Sequence, residues 1–166
     1  MRRLIGVGLT AATVLVQVTW APRLEVAGAF PNLALVAVVG ITWTMGVRAG
    51  LAWGCVAGLL LDLTSAGPLG PHALALLACA YVTGFWTRNV ARESPVHPAL
   101  AAAVCTALYS VILVVADDTL GLPVPPLPVA IQLVFAAAVY NALLIPVALP
   151  ALRKLKGSPP GRTEVA

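Results

Sequence analysis

The sequence predicts an all-α membrane fold of about six transmembrane helices, on three observations. Of its residues 60% are hydrophobic and 10% charged, with mean hydropathy +0.97, whereas soluble domains carry about 25% charged residues. Charges and Pro/Gly clusters cut the chain into six apolar segments. Nine of the ten Lys and Arg residues fall at every second break. In lipid the backbone must satisfy its own hydrogen bonds, so spans are helices or closed barrels. Continuous apolar runs, without alternation over about ten residues, exclude the barrel.

The first segment, Leu4–Ala21, follows Arg2 and Arg3, ends without a small-x-small cleavage site and reads as a retained signal anchor. Pro22-Arg23-Leu24-Glu25 breaks it. The second runs from about Phe30 to Val47, opened by Pro31-Asn32, and Arg48 interrupts it. The third, Ala49 to about Ser65, has 13 residues before Asp62, fewer than the ~20 that a span needs. Either its helix continues past Asp62, or it is short and tilted, or it forms a re-entrant hairpin. Gly67-Pro68-Leu69-Gly70-Pro71 is a dense turn signal. The fourth runs from about Leu69 to Thr87, before Arg88, Arg92 and Glu93. The fifth runs from about Pro98 to Ala116 and stops at Asp117-Asp118. Gly121–Pro128 holds four prolines and is not regular helix. The sixth runs from about Leu127 to Leu152, closed by Arg153-Lys154-Leu155-Lys156. Residues 1–156 then form one transmembrane domain, and the polar stretch 157–166 a disordered cytoplasmic tail.

Orientation follows from the basic residues. With the N-terminus inside, Arg2, Arg3, Arg48, Arg88, Arg92, Arg153, Lys154, Lys156 and Arg162 are cytoplasmic and only Arg23 is outside. The positive-inside rule selects this arrangement, with both termini in the cytoplasm. No segment joins a basic patch to aromatic residues, so nucleic acid is not an expected partner. Cys55, Cys79 and Cys105 each lie inside an apolar run without CxxC spacing and read as small buried hydrophobes. No metal, cofactor or catalytic constellation is expected, since G-x-S-x-G, H-E-x-x-H and a Walker lysine are missing.

The residues that stand out are small or polar. Gly46, Gly50, Gly54 and Gly58 recur every four residues, with Asp62 one step further. Small residues at this spacing let backbones approach. Asp62 is the only acid well inside an apolar run; such a residue faces protein and takes a partner. Its candidate partners are His72, Asn141 and the backbone N–H groups near Gly67–Gly70. His72, after Pro71, reads as a hydrogen-bonded interface histidine. His97, between Pro95 and Pro98, reads as a solvated loop residue. Asn141 sits mid-segment as an interhelical hydrogen-bonding group, and Pro146 is expected to kink its helix.

Between Gly54 and Gly84 the sequence reads GCVAGLLLDLTSAGPLGPHALALLACAYVTG. This resembles the bacterial rod shape-determining MreD family, with its G-x-x-x-G-L-L-x-D-L, P-L-G-x-H-A-L and Y-x-x-G motifs. Gly54, Gly58, Asp62, Pro68, Gly70, His72, Tyr81 and Gly84 occupy matching positions. Pro31-Asn32-Leu33 resembles the family's P-D-L, with Asn32 in place of the acid. Tyr140-Asn141-Ala142-Leu143 with Pro146 resembles its last helix. The resemblance implies a non-catalytic subunit of the elongasome in the bacterial inner membrane, supporting cell shape and lateral peptidoglycan synthesis. It implies binding to MreC and work beside MreB, RodA and a class B penicillin-binding protein. The family's helical core is similar to the S components of energy-coupling-factor transporters, so the resemblance makes a vitamin-binding subunit the alternative. The candidate structural or partner-binding residues are Gly50, Gly54, Gly58, Asp62, Pro68, Gly70, His72, Tyr81 and Asn141.

Overall fold

A computed structural model describes residues 30–65, 67–90 and 96–156, together with Leu15, Gln17, Thr19 and Gly28. Most of the first segment, the Arg23 break, Arg92-Glu93 and the 157–166 tail lie outside the described residues. Leu15, Gln17 and Thr19 are helical. Five helices follow: α1 (Leu33–Met45), α2 (Val47–Thr64), α3 (Pro71–Asn89), α4 (Val96–Thr119) and α5 (Leu127–Lys156). They correspond to the second to sixth apolar segments.

The bundle is built around α1. Ten of its 13 residues are buried, and it packs on all four other helices. It is apolar on every face, as a central helix must be. At the other extreme, the buried residues of α5 are Asn141, Ile145 and Leu149, a single stripe at i, i+4 and i+8. Its other sides expose Phe135, Leu143 and Val147.

By length and composition, α2, α4 and α5 are able to cross a membrane. α3 has 19 residues but is not in that class, and α1 is shorter. At 1.5 Å per residue α1 covers about 20 Å, against a hydrocarbon core of about 30 Å. Asn32 sets its start: the side chain accepts from the Leu35 N–H, a normal N-cap bond. Gly46 sets its end, with φ +97°, in a region closed to most side chains.

Several expected boundaries move for local reasons. The break before α2 falls at Gly46, so this glycine is a corner and not the first rung of a helical stripe. Arg48 lies in the first turn of α2, because a long basic side chain at a helix end reaches past it. α2 runs unbroken past Asp62 to Thr64, which removes the re-entrant hairpin. α3 starts two residues later than expected, at Pro71, because Gly70 has φ +120°. α4 takes in Asp117 and Asp118 and ends with Leu122 and Gly121 N–H groups returning to Asp117 and Asp118 carbonyls. His97 belongs to its first turn, not to a loop. Pro128 falls in the first turn of α5, where a missing N–H costs little. Arg153 and Lys154 extend the helix instead of ending it.

The glycine contacts show that α2 and α3 run antiparallel: Gly58 faces Ala73, Gly54 faces Leu76, and Gly84 faces Val47. Gly40 likewise faces Leu152, tying the ends of α1 and α5. The exposed Arg48, Arg88, Arg153 and Lys154 therefore gather at one end of the bundle.

Candidate functional site

The end opposite those basic residues holds two polar joints. The first begins with the problem of starting a helix in an apolar environment. The initial N–H groups of a helix have no partner within it. The cap position of α3 is Gly70, which has no side chain to offer, and Pro71 follows at the first position. Asp62, from the last turn of α2, supplies what is missing. The His72 N–H donates to its Oδ1 at 2.9 Å and the Ala73 N–H to its Oδ2 at 3.1 Å. These are the N2 and N3 groups that a normal N-cap residue would satisfy, here met by a neighbouring helix. The positive end of the α3 dipole adds to the attraction.

His72 closes the joint through its ring. Nδ1 lies 2.9 Å from Asp62 Oδ1. A carboxylate only accepts, which assigns the proton to Nδ1 and leaves Nε2 as the free ring nitrogen. The Asp62 side chain is fully buried, while that of His72 is 25% exposed. Its ring meets Tyr109 of α4 edge-on, with centroids 6.0 Å apart. The approach of α2 to α3 that permits this depends on Gly58, where a methyl group would run into the Ala73 backbone. Gly54 abuts the Leu76 carbonyl, and Gly50 abuts Thr42 of α1. The small-residue stripe is therefore spent on contacts within this chain.

The second joint holds the start of α1. Asn141 Oδ1 accepts from the Asn32 N–H at 2.9 Å, and Asn141 Nδ2 donates to Thr106 Oγ1 at 3.0 Å. Gln17 Oε1 accepts from the Leu33 N–H, and Gln17 Nε2 donates to the Pro31 carbonyl. Asn141 is thus not a partner of Asp62. It lies on the other side of the site, because α1 stands between the helices that carry them. The backbone partners of Asp62 are also one turn beyond those expected, at His72 and Ala73 instead of Gly67–Gly70. Asn32 caps as a neutral amide, so the acid of the family motif is not needed for the hydrogen bond.

Between the joints lies a cavity of about 510 Å³. His72 lines it on one side and Asn32 and Asn141 on another, with Thr106, Tyr109 and Ser110 from α4. This space is nearly silent in the linear sequence. Its one signal is spacing: Thr106 and Ser110, and Tyr109 and Leu113, are each four apart and share a helix face. Pro68 and Gly70 stand half-buried in the turn above, with Leu69 exposed at its tip. Tyr81 is apart from both joints, 65% exposed on the outer face of α3.

Comparison with known proteins agrees with the motif positions just placed. A family model described as rod shape-determining protein MreD matches residues 2–120. No curated protein and no solved structure matches the chain. The matched stretch covers most of the chain and includes Asp62, His72 and their supporting glycines; the chain belongs to the MreD family of rod shape-determining membrane proteins.

Proposed function

We propose that this chain is a non-catalytic subunit of the elongasome in the bacterial inner membrane, and that it binds an MreC-like protein. In this reading it crosses the membrane six times with both termini in the cytoplasm, and its helical core resembles an S component. MreB, RodA and a class B penicillin-binding protein are the further partners. Membership of the MreD family carries the proposal. The exposed basic residues gathered at one end support the orientation.

A partner face is suggested by Tyr81. Asp62 and the glycines are consumed inside the fold, so their effect on a partner is indirect, through the shape of the α2–α3 turn. Tyr81 is different. It lies near the middle of α3, with exposed Leu74 and Phe85 on the same side and Leu69 above them. Its hydroxyl has no hydrogen bond among the described residues. A phenol facing hydrocarbon without a partner is costly, and a single helix from a bitopic protein would supply one.

The test is co-purification of the host's MreC-like protein, with a photoreactive residue placed at Tyr81 and, for comparison, at Leu143 of α5. Capture by the wild type and cross-linking at Tyr81 alone are expected. Cross-linking at Leu143 instead would move the face to α5. Failure to capture the protein even after cross-linking in cells, with tight binding of a vitamin, would replace this reading with the S-component one, for which the cavity is the favouring observation.

A further inference from the structure

The cavity between the two joints has a size at which small molecules bind, since ligand sites run from about 300 to 1,000 Å³. Its chemistry narrows the occupant. Among the described residues no lysine, arginine, aspartate or glutamate lines it. Asp62 lies behind His72 and is occupied by two backbone N–H groups and the ring. A phosphate or carboxylate inside would find no lysine or arginine, only an imidazole already engaged by Asp62, and an ammonium would find no free carboxylate. Burying such a charge unpaired is strongly unfavourable.

Several polar groups at the cavity are already used. Gln17 and Asn141 hold the backbone of residues 31–33. Others still have capacity. Ser110 Oγ has no hydrogen bond among the described residues, and Nε2 is the free nitrogen of His72. Ser65 Oγ donates to the Asp62 carbonyl and retains acceptor capacity. Leu133, Val134 and Ala137 of α5 form an apolar wall, and Leu61 and Leu113 add apolar contact beside the polar groups. The arrangement offers hydroxyl-sized polar contacts from the end of α2, the start of α3 and α4, and hydrocarbon contact from α5.

We propose that this cavity binds an uncharged amphiphile with a hydroxyl-bearing head, the head meeting Ser110 and His72 and the body lying against α4 and α5. The same chemistry is present in a neutral membrane lipid and in a small water-borne compound. The site is read from this chain alone, so its test needs no partner protein.

The full chain in phosphatidylcholine nanodiscs is exposed to a photoreactive monoacylglycerol, and the cross-linked peptides are mapped. A photoreactive fatty acid of equal chain length serves as the anionic control, and pyridoxine as a neutral soluble competitor. Cross-links on the Thr106–Leu113 and Leu133–Ala137 peptides are expected with the monoacylglycerol, at about tenfold lower yield with the fatty acid, a preference of about 1.4 kcal/mol. Ala137→Trp fills the space and is expected to abolish them. Ser110→Ala, which removes only a hydroxyl, is expected to lower the yield about fivefold, the scale of one neutral hydrogen bond. Competition by pyridoxine assigns the site to a soluble ligand, and labelling that resists it assigns a lipid. Equal labelling by the fatty acid, unchanged labelling in both variants, or no labelling together with no pyridoxine binding overturns the proposal.

Discussion

Two helices of this bundle start inside it, and different chemistry holds their first turns. α1 begins with its own cap, Asn32, reinforced by amides from Gln17 and Asn141. α3 begins at a glycine with no side chain and relies on one carboxylate from α2. The joint at α1 is neutral and spread over three side chains; the joint at α3 is concentrated in Asp62. In an apolar medium an unmet N–H has no water to turn to, so both joints must be complete. No buried side-chain polar atom is left without a partner among the described residues. The difference lies in how much fails when one residue is lost.

Asp62→Ala is expected to be the most damaging change. It leaves the His72 and Ala73 N–H groups and the histidine ring without acceptors. At about 1–3 kcal/mol for each buried group left unpaired, the loss is about 3 kcal/mol or more. Thermal unfolding in nanodiscs should fall by roughly 6–12 °C, at about 2–4 °C per kcal/mol for a domain of this size. A fall of under 2 °C would show that the turn satisfies itself by another route. The second joint should respond more weakly. Asn141→Leu removes the bonds to Asn32 and Thr106, but Gln17 and the Asn32 side chain remain. Interhelical hydrogen bonds in membranes are worth about 0.6–2 kcal/mol, so a loss of about 1–2 kcal/mol is expected by the same measurement. A loss equal to that of Asp62→Ala would erase the contrast. The smallest effect is expected from Asn32→Asp, which restores the residue of the family motif and keeps an acceptor for the Leu35 N–H. A change within about 0.5 kcal/mol, the range of substitutions that remove no contact, would confirm that capping there is independent of charge.

Much of this was legible in the sequence because lipid makes isolated polar residues conspicuous. Asp62 demanded a partner, and His72 was among the few available. The glycine period gave the close face of α2. What was not legible is which helices are neighbours. α1 and the stretch of α5 before Arg153 are both predominantly apolar, yet one is enclosed and the other peripheral, and hydropathy does not separate them. That ambiguity is why Asn141 was a candidate for Asp62 when α1 separates the two. Gly46 was hidden for a related reason: a glycine at a corner and a glycine in a packing stripe look alike in a period of four. The cavity was invisible because its lining comes from residues 17 to 141, a few at a time.

The corner at Gly46 has a consequence for biogenesis. α1 leaves the ribosome before the helices that enclose it, and at about 20 Å it is too short to bridge the bilayer core alone. A single residue separates it from α2, so there is no loop that would allow the two to be inserted at different times. In the proposed six-span arrangement they are expected to leave the translocon as one hairpin, with α3, α4 and α5 closing around it afterwards. The most enclosed helix of the finished protein is thus committed early, and a side chain at Gly46 that opened the corner would be felt first as a defect of membrane insertion.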